Sequence, residues 1–292
     1  MQPPALASSP ALPPTRRMAI LSIQSQVLNG AVGNSGAAFI LARLGHEVWP
    51  LPTVLLSHHP GHGGAEGGPV KPARLAALVA GLAARGAFAR CEAVVSGYLG
   101  VDAAAPIVED AVARARAAHP GALYVCDPVI GDHGRAYVPS ALIAAIRERL
   151  VPRADIVMPN AFELGVLAGS PPSDRRSAFA AMEALGPNTV ILTGFCGADT
   201  PPDMLDILAL DGDGPRQIAV PHLAGRFSGA GDAFAALFLA HYLPERHLDK
   251  ALAAASASMT ALLRATLRHG TDELAIVAGQ DAWIAAAQDA KQ

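Results

Sequence analysis

Phe227-Ser228-Gly229-Ala230-Gly231-Asp232-Ala233-Phe234 holds two glycines one residue apart, an Asp directly after them, and the start of an apolar run that reaches Tyr242. It reads as a tight turn feeding the first turn of a buried helix. The first N–H groups of a helix lack intrahelical partners and sit at the positive end of its dipole. They attract anions, and glycine lets a phosphate approach the backbone. Asp232 repels such a ligand unless it does chemistry there. One use is to accept the proton of a hydroxyl that attacks a phosphoryl group held by the turn. An Asp at a helix start also complements the dipole with no catalytic role. These eight residues leave both readings open, and the rest of the chain decides between them.

Outward from this stretch the pattern alternates between strand and helix. The short apolar run Met18 to Ile23 suits a buried parallel strand, and Gln24 to Gly33, rich in Gly, Asn and Ser, reads as a loop before a helix over Asn34 to Leu44. A strand over Glu47 to Thr53 precedes a Gly/His/Pro-rich segment, Ser57 to Pro69, that reads as a mobile surface loop. Helices at Pro72 to Arg85, Asp102 to Ala118 and Pro139 to Leu150 then alternate with strands at Ala93 to Ser96, Ala122 to Cys126 and Asp155 to Met158. Helices at Asn160 to Leu167 and Arg175 to Leu185 lead to a strand at Thr189 to Thr193 and a hairpin of Met204 to Leu210 with Gln217 to Pro221. The chain closes with helices at Ala230 to Tyr242, Leu248 to Leu267 and Gln280 to Ala290. Such alternation predicts an α/β fold, a mostly parallel, doubly wound sheet with helices on both faces. Ligands of such sheets bind at the carboxyl ends of the strands. The loops at those ends hold the polar and glycine-rich residues: Ser25 to Gly33, Gly97-Tyr98, Asp127 to Gly134, Asn160 to Glu163, Thr193 to Asp199 and Gly225 to Asp232.

Composition excludes several classes. With 292 residues, 51% apolar, 16% charged and a net charge of −3, the chain is long enough to bury a sizeable core and reads as globular. Its basic residues are scattered and its aromatics few, against a nucleic-acid binder. The three cysteines, Cys91, Cys126 and Cys196, have no metal-ligand spacing and fit reduced thiols in a cytoplasmic protein. Apolar stretches are interrupted well before the roughly 20 residues of a membrane span. Residues 1–17, with five prolines and no apolar core, read as a disordered extension or as an upstream start ahead of Met18. One domain is expected over 18–292.

Asp127 and Asp132 fall in the loop after a buried strand, and Asn160 and Glu163 share a face at the opening of a helix. Three acids near a phosphate nest repel a nucleotide unless a divalent cation sits between them, and Mg²⁺ suits that role. Singly, Asp127 reads as a turn residue and Asn160 as a helix N-cap. Together at corresponding strand ends, they favour the site.

Ser22-Ile23-Gln24-Ser25, Gly33-Asn34-Ser35, Ser96-Gly97-Tyr98-Leu99-Gly100, Cys126-Asp127-Pro128-Val129, Pro159-Asn160-Ala161-Phe162-Glu163 and Gly229-Ala230-Gly231-Asp232 occur in this order. Together they resemble the pyridoxal kinases of the ribokinase superfamily, from about Met18 to about Trp283. The resemblance implies a ribokinase-like three-layer sandwich and ATP-dependent phosphorylation of the 5′-hydroxymethyl group of a B6 vitamer. It implies Asp232 as the base, with the N–H groups of Gly229, Ala230 and Gly231 stabilising the transferring phosphoryl group. Mg²⁺ would be organised by Asp132 and Glu163, directly or through water, with Asp127 in the same acidic set. Asn160, Thr193, Gly194 and Phe227 fall on the nucleotide side. Ser25 would hydrogen-bond the pyridine ring, Val32 would pack on it, and Tyr98 would cover it. The resemblance also implies a homodimer; whether a monovalent cation such as K⁺ assists stays open.

One departure stands out. Many members read Ser-Asn-His-Thr where this chain reads Ser57-His58-His59-Pro60, so His59 and Pro60 occupy the vitamer-contacting positions and a pocket hydroxyl is missing. Pro60 has no N–H to donate. A hydroxymethylpyrimidine or other small-alcohol kinase of the same superfamily, and a catalytically silent vitamer-binding protein, are the rival readings. A dinucleotide oxidoreductase is set aside, because Gly30 to Gly36 departs from the Gly-x-Gly-x-x-Gly fingerprint and Thr53-Val54 stands where the ribose-binding acid belongs.

Overall fold

The computed structural model describes residues 18–290, so the expected extension over 1–17 lies outside the described residues. In chain order the elements are β1 (Ala19–Asn29), α1 (Asn34–Arg43), β2 (Glu47–His58), β3 (Gly67–Pro69), α2 (Pro72–Ala84), β4 (Cys91–Ser96), α3 (Ala105–Ala118), β5 (Leu123–Cys126), β6 (Gly131–Asp132), β7 (Arg135–Ala136), α4 (Ser140–Ala145), β8 (Ile156–Val157), α5 (Ala161–Ala168), α6 (Arg175–Leu185), β9 (Thr189–Phe195), β10 (Met204–Asp211), β11 (Gly214–Pro221), α7 (Ala230–Glu245), α8 (Leu248–His269) and α9 (Gln280–Asp289).

One nine-stranded sheet runs β11-β10-β9-β8-β5-β4-β1-β2-β3, and β6 and β7 form a separate small hairpin. The strands from β2 through β9 in that order are parallel, while β3, β10 and β11 are antiparallel at the edges. The run Ala19 to Ile23, apolar except for Ser22, is buried on both faces. Ile20 joins the core shared with α1, α7 and α8, whereas Leu21 and Ile23 join the opposite core with α2 and α3. Helices α5 and α6 extend the second layer over Val190, Leu192 and Leu208. Almost every side chain of α7 from Ala233 to Ala240 is buried, which is why its sequence lacks a polar stripe. No helix of the described residues is long and apolar enough to cross a membrane.

Two expected loops are partly strand. Gln24 to Asn29 continues β1 past a bulge between Gln24 and Gln26, because β2 also continues, to His58, and pairs with it throughout. Strand β4 pairs with β1 only as far as Ile23, so the ends of β1 and β2 project together as a flap at the carboxyl edge of the sheet. The mobile loop expected over Ser57 to Pro69 forms part of this flap: Pro60–His62 is a turn of 3₁₀-helix and β3 pairs antiparallel with β2. The glycines that argued against regular structure allow it. A Cβ on Gly67, whose φ is +122°, would stand 2.1 Å from the Leu55 carbonyl oxygen.

Candidate active site

Helix α7 opens at Gly229, which is its N-cap with φ +84°. The two glycines of the turn have different tasks. A Cβ on Gly229 would lie 2.7 Å from the Ala31 carbonyl and 3.1 Å from a Val32 methyl, so this glycine admits the β1–α1 loop. A Cβ on Gly231 would meet only an Asp127 carboxylate oxygen, at 3.9 Å, so this glycine leaves the backbone open to a ligand. The Ala230 N–H, expected to face the phosphate, donates to the Phe227 carbonyl at 3.1 Å. The N–H groups of Gly231 and Asp232 find no acceptor among the described residues and are the open donors of the helix start.

Asp232 does not turn back onto its own helix, as a dipole-complementing acid does. Its Oδ2 accepts a 2.7 Å hydrogen bond from the Gly33 N–H, across to the loop that carries Val32. Burial pushes its carboxyl up to about 6, with the Gly33 hydrogen bond opposing the shift. Ser25 belongs to the same cluster: a Cβ on Gly33 would lie 2.6 Å from the Ser25 hydroxyl oxygen. Ser25, Val32, Gly33, Gly229 and Asp232 are therefore neighbours, although Ser25 and Asp232 come from opposite ends of the chain. Tyr98 follows the end of β4, where Thr53 donates to its carbonyl at 2.6 Å, and burial pushes its phenol up.

The acids divide. Asp127 is 8% exposed, and no described residue donates a hydrogen bond to its carboxylate. Burial, with the charges of Glu163 and Asp232, holds it well above the usual carboxylate range. Glu163 is equally buried but its oxygens are occupied: Oε1 accepts from Ile130 and Gly131 at 2.9 and 3.4 Å, and Oε2 from Asn160 at 2.9 Å. Burial still pushes it up to about 7. With Asn160 Oδ1 accepting from the Glu163 N–H at 2.9 Å, the pair forms a capping box for α5, and Asn160 Nδ2 ties the box to the Gly131 carbonyl at 2.8 Å. Asp132 sits on the β6–β7 hairpin with half its side chain exposed, and its Oδ1 accepts from the His133 N–H at 2.7 Å. Among the described residues, no group of three or more His, Cys, Asp or Glu gathers as a metal cluster. Asp127 and Asp232, with Gln24, line a cavity of about 10 Å³, a space for roughly one water.

On the nucleotide side, Asn160 and Thr193 are bridged at the ends of β8 and β9, and Gly194 follows with φ +62°. Phe227 is half-buried against the core of α7. Asp199, in the segment grouped with them, is turned away: it accepts from the Arg175 N–H at 3.1 Å and pairs with its guanidinium at 3.6 Å. On the flap, Pro60 begins the 3₁₀ turn and is exposed, while His59 is half-buried, and burial lowers its imidazole pKa. Two of the flap histidines are held in place. His58 Nε2 lies 2.8 Å from the Gly63 carbonyl and His62 Nε2 lies 2.9 Å from Glu273.

The chain is similar to known proteins over most of its length. The pyridoxal kinase PdxY of Corynebacterium diphtheriae is 41% identical over 269 residues, covering 91% of this chain and 95% of its own. The chain belongs to the pyridoxal kinase family. The PdxY of Deinococcus radiodurans is 43% identical over 91% of this chain and 93% of its own. The family model for phosphomethylpyrimidine kinase matches residues 79–276 of this kinase. Among solved structures, the pyridoxal kinase from Leishmania donovani in complex with ADP and pyridoxine superposes with a TM-score of 0.86. It has 31% identity and covers 91% of this chain and 95% of the other. The kinase therefore has a ribokinase-like fold with a mostly parallel sheet.

Sequence reasoning missed Gly33 as a donor to Asp232, and it missed Glu273 altogether. Gly33 carried a signal, since its Gly-Asn-Ser setting was noted, but its partner is 199 residues away. Glu273 carried none.

Proposed function

We propose that this enzyme transfers the terminal phosphoryl group of ATP to the 5′-hydroxymethyl group of pyridoxal, with Asp232 as the base that takes the hydroxyl proton. The observation that carries the reading is the 2.7 Å bond between Asp232 and the Gly33 N–H. It sets a partly buried carboxylate at the seam between the open N–H donors of α7 and the Ser25–Val32 loop. A base is most effective when its pKa lies near the working pH, and a carboxyl pushed up to about 6 approaches that condition while staying ionised at neutral pH. The Gly231 and Asp232 N–H groups supply fixed dipoles toward the charge that develops on the phosphoryl group. Ser25 and Val32 orient the ring, Tyr98 and His59 flank it, and Pro60 forms the rim. Asn160, Thr193, Gly194 and Phe227 border the nucleotide.

Of the acids, Asp127, buried and free of N–H donors, is the carboxylate that suits Mg²⁺; a cation there would neutralise phosphate charge. Glu163 acts through the capping box, holding the Ile130–Gly131 backbone, and Asp132 reaches the site only from the hairpin. This proposal keeps the homodimer and the cytoplasmic setting implied by the resemblance, and light scattering of the purified protein tests the first.

The test is ATP consumption with Mg²⁺ on pyridoxal, pyridoxine, pyridoxamine and hydroxymethylpyrimidine in parallel, with each product identified by mass. Phosphorylated pyridoxal, lost in Asp232→Asn, is the expected result. Turnover of the pyrimidine alone would overturn the vitamer assignment, and vitamer binding without turnover would overturn the catalytic one.

A further inference from the structure

Glu273 lies in the α8–α9 loop, yet it touches three separate parts of the site's frame. Its Oε2 accepts a 3.0 Å hydrogen bond from the Ala31 N–H, one residue before Val32 and two before the donor to Asp232. Its Oε1 lies 2.9 Å from His62 Nε2 at the tip of the flap. Its backbone is bridged to Ser228, directly before the α7 turn. The chain accommodates this acid on both sides. Gly30, at φ +126°, packs so closely that a Cβ there would stand 2.9 to 3.1 Å from the Glu273 carboxylate. The Thr271 hydroxyl accepts from the Glu273 N–H at 2.9 Å and donates to its carbonyl at 2.8 Å, fixing the backbone from which the carboxylate projects. The rings of His59 and His62 meet edge to face with centroids 6.0 Å apart, so a fixed His62 also limits where His59 can go.

We infer that Glu273 is a positioning residue for phosphoryl transfer: one carboxylate clamps the flap that carries His59 to the loop that carries Val32 and Gly33. The inference rests on the vitamer-kinase reading of this pocket. The clamp sets the width of the pocket and hence the alignment of the substrate hydroxyl with Asp232. Phosphoryl transfer is mostly positioning, so a small error in that width lowers productive binding. The His62–Glu273 pair is partly exposed, with side-chain accessibilities of 41% and 28%. Pairs this exposed add little to global stability, so the consequence of breaking it is local.

The experiment compares the full-length chain with Glu273→Ala, His62→Ala and His62→Gln, whose amide can reach the same carboxylate oxygen. KM and kcat are measured for pyridoxal and for ATP, with hydrogen exchange of the flap peptide over residues 57–69 followed without substrate. Glu273→Ala and His62→Ala should each raise the KM for pyridoxal by about tenfold while the KM for ATP stays within about twofold. Both should also speed exchange in the flap, and His62→Gln should restore both readouts toward the wild type. Unchanged flap exchange in Glu273→Ala overturns the clamp, whether or not the enzyme turns over pyridoxal. Faster exchange with an unaltered KM for pyridoxal overturns its positioning role. If the wild type phosphorylates no vitamer, the kinase reading itself has failed, and the exchange data still report on the clamp.

Discussion

Replacing Asp232 by Asn should make the enzyme almost inactive and more stable. The carboxyl is partly buried, and the desolvation it suffers raises it from an ordinary value of 3.8 to about 6, the Gly33 N–H bond only partly offsetting the cost. The folded state therefore holds the Asp232 proton more tightly than the unfolded chain does. Between pH about 4 and about 6 the native state binds more protons, so stability from this group falls as pH rises through that window. The two-unit difference corresponds to about 3 kcal/mol of folding free energy forgone above pH 6. Asn removes the charge and keeps an oxygen that can accept from Gly33. At pH 7.5 the ligand-free variant should unfold at a temperature higher by up to ~6 °C. The advantage should become small near pH 4, where the folded wild-type carboxyl is protonated and the unfolded one is close to half protonated. Turnover should fall by about 10²- to 10⁴-fold with ATP still bound, and wild-type kcat/KM should decline as pH drops below about 6. Thermal unfolding of both proteins from pH 4 to 8, paired with steady-state rates, reads all of this. A variant no more stable than the wild type at pH 7.5, or a difference independent of pH, would refute the burial argument. Near-normal turnover would refute the base.

The two glycines of the turn should separate in the same assays. Gly229→Ala, with φ +84° and a Cβ 2.7 Å from the Ala31 carbonyl, should destabilise the fold by at least ~1 kcal/mol. Gly231→Ala has room for its Cβ, so it should keep its unfolding temperature and lose about tenfold in kcat/KM for ATP; equal effects at both positions would show that the turn is only structural. Asn160→Ala removes the α5 cap and the tie to the Gly131 carbonyl, and denaturant unfolding should show a loss of about 1–2 kcal/mol, whereas Asn160→Ser, which keeps a capping oxygen, should lose less. Pro60→Thr restores a hydroxyl on the pocket rim and should shift the ratio of kcat/KM between pyridoxal and pyridoxine by about threefold; an unchanged ratio removes Pro60 from ring recognition.

Local signals carried much of this protein. The Gly-Ala-Gly-Asp turn before an apolar run marked the start of α7, because a helix start is defined by residues next to one another. The alternation of short apolar runs with helical stretches was enough for a mostly parallel sheet, since strands buried on both faces need no partner to look apolar. Asn160 and Glu163 were legible as a pair because a capping box closes within three residues, though their principal bonds proved to be to backbone N–H and carbonyl groups. What the sequence could not convey depends on partners far away in the chain. Gln24 to Asn29 looked like a loop because its residues favour turns; a strand formed because β2 continued beside it and supplied the hydrogen bonds. The Gly/His-rich segment ordered because β3 found an edge and His62 found Glu273. Asp232 was evident as a candidate base, but its raised pKa and its Gly33 contact exist only after burial brings positions 33 and 232 together. Residue type and spacing determine which groups lie at the strand ends, whereas desolvation and hydrogen bonding between distant segments decide their charge, their freedom and their neighbours.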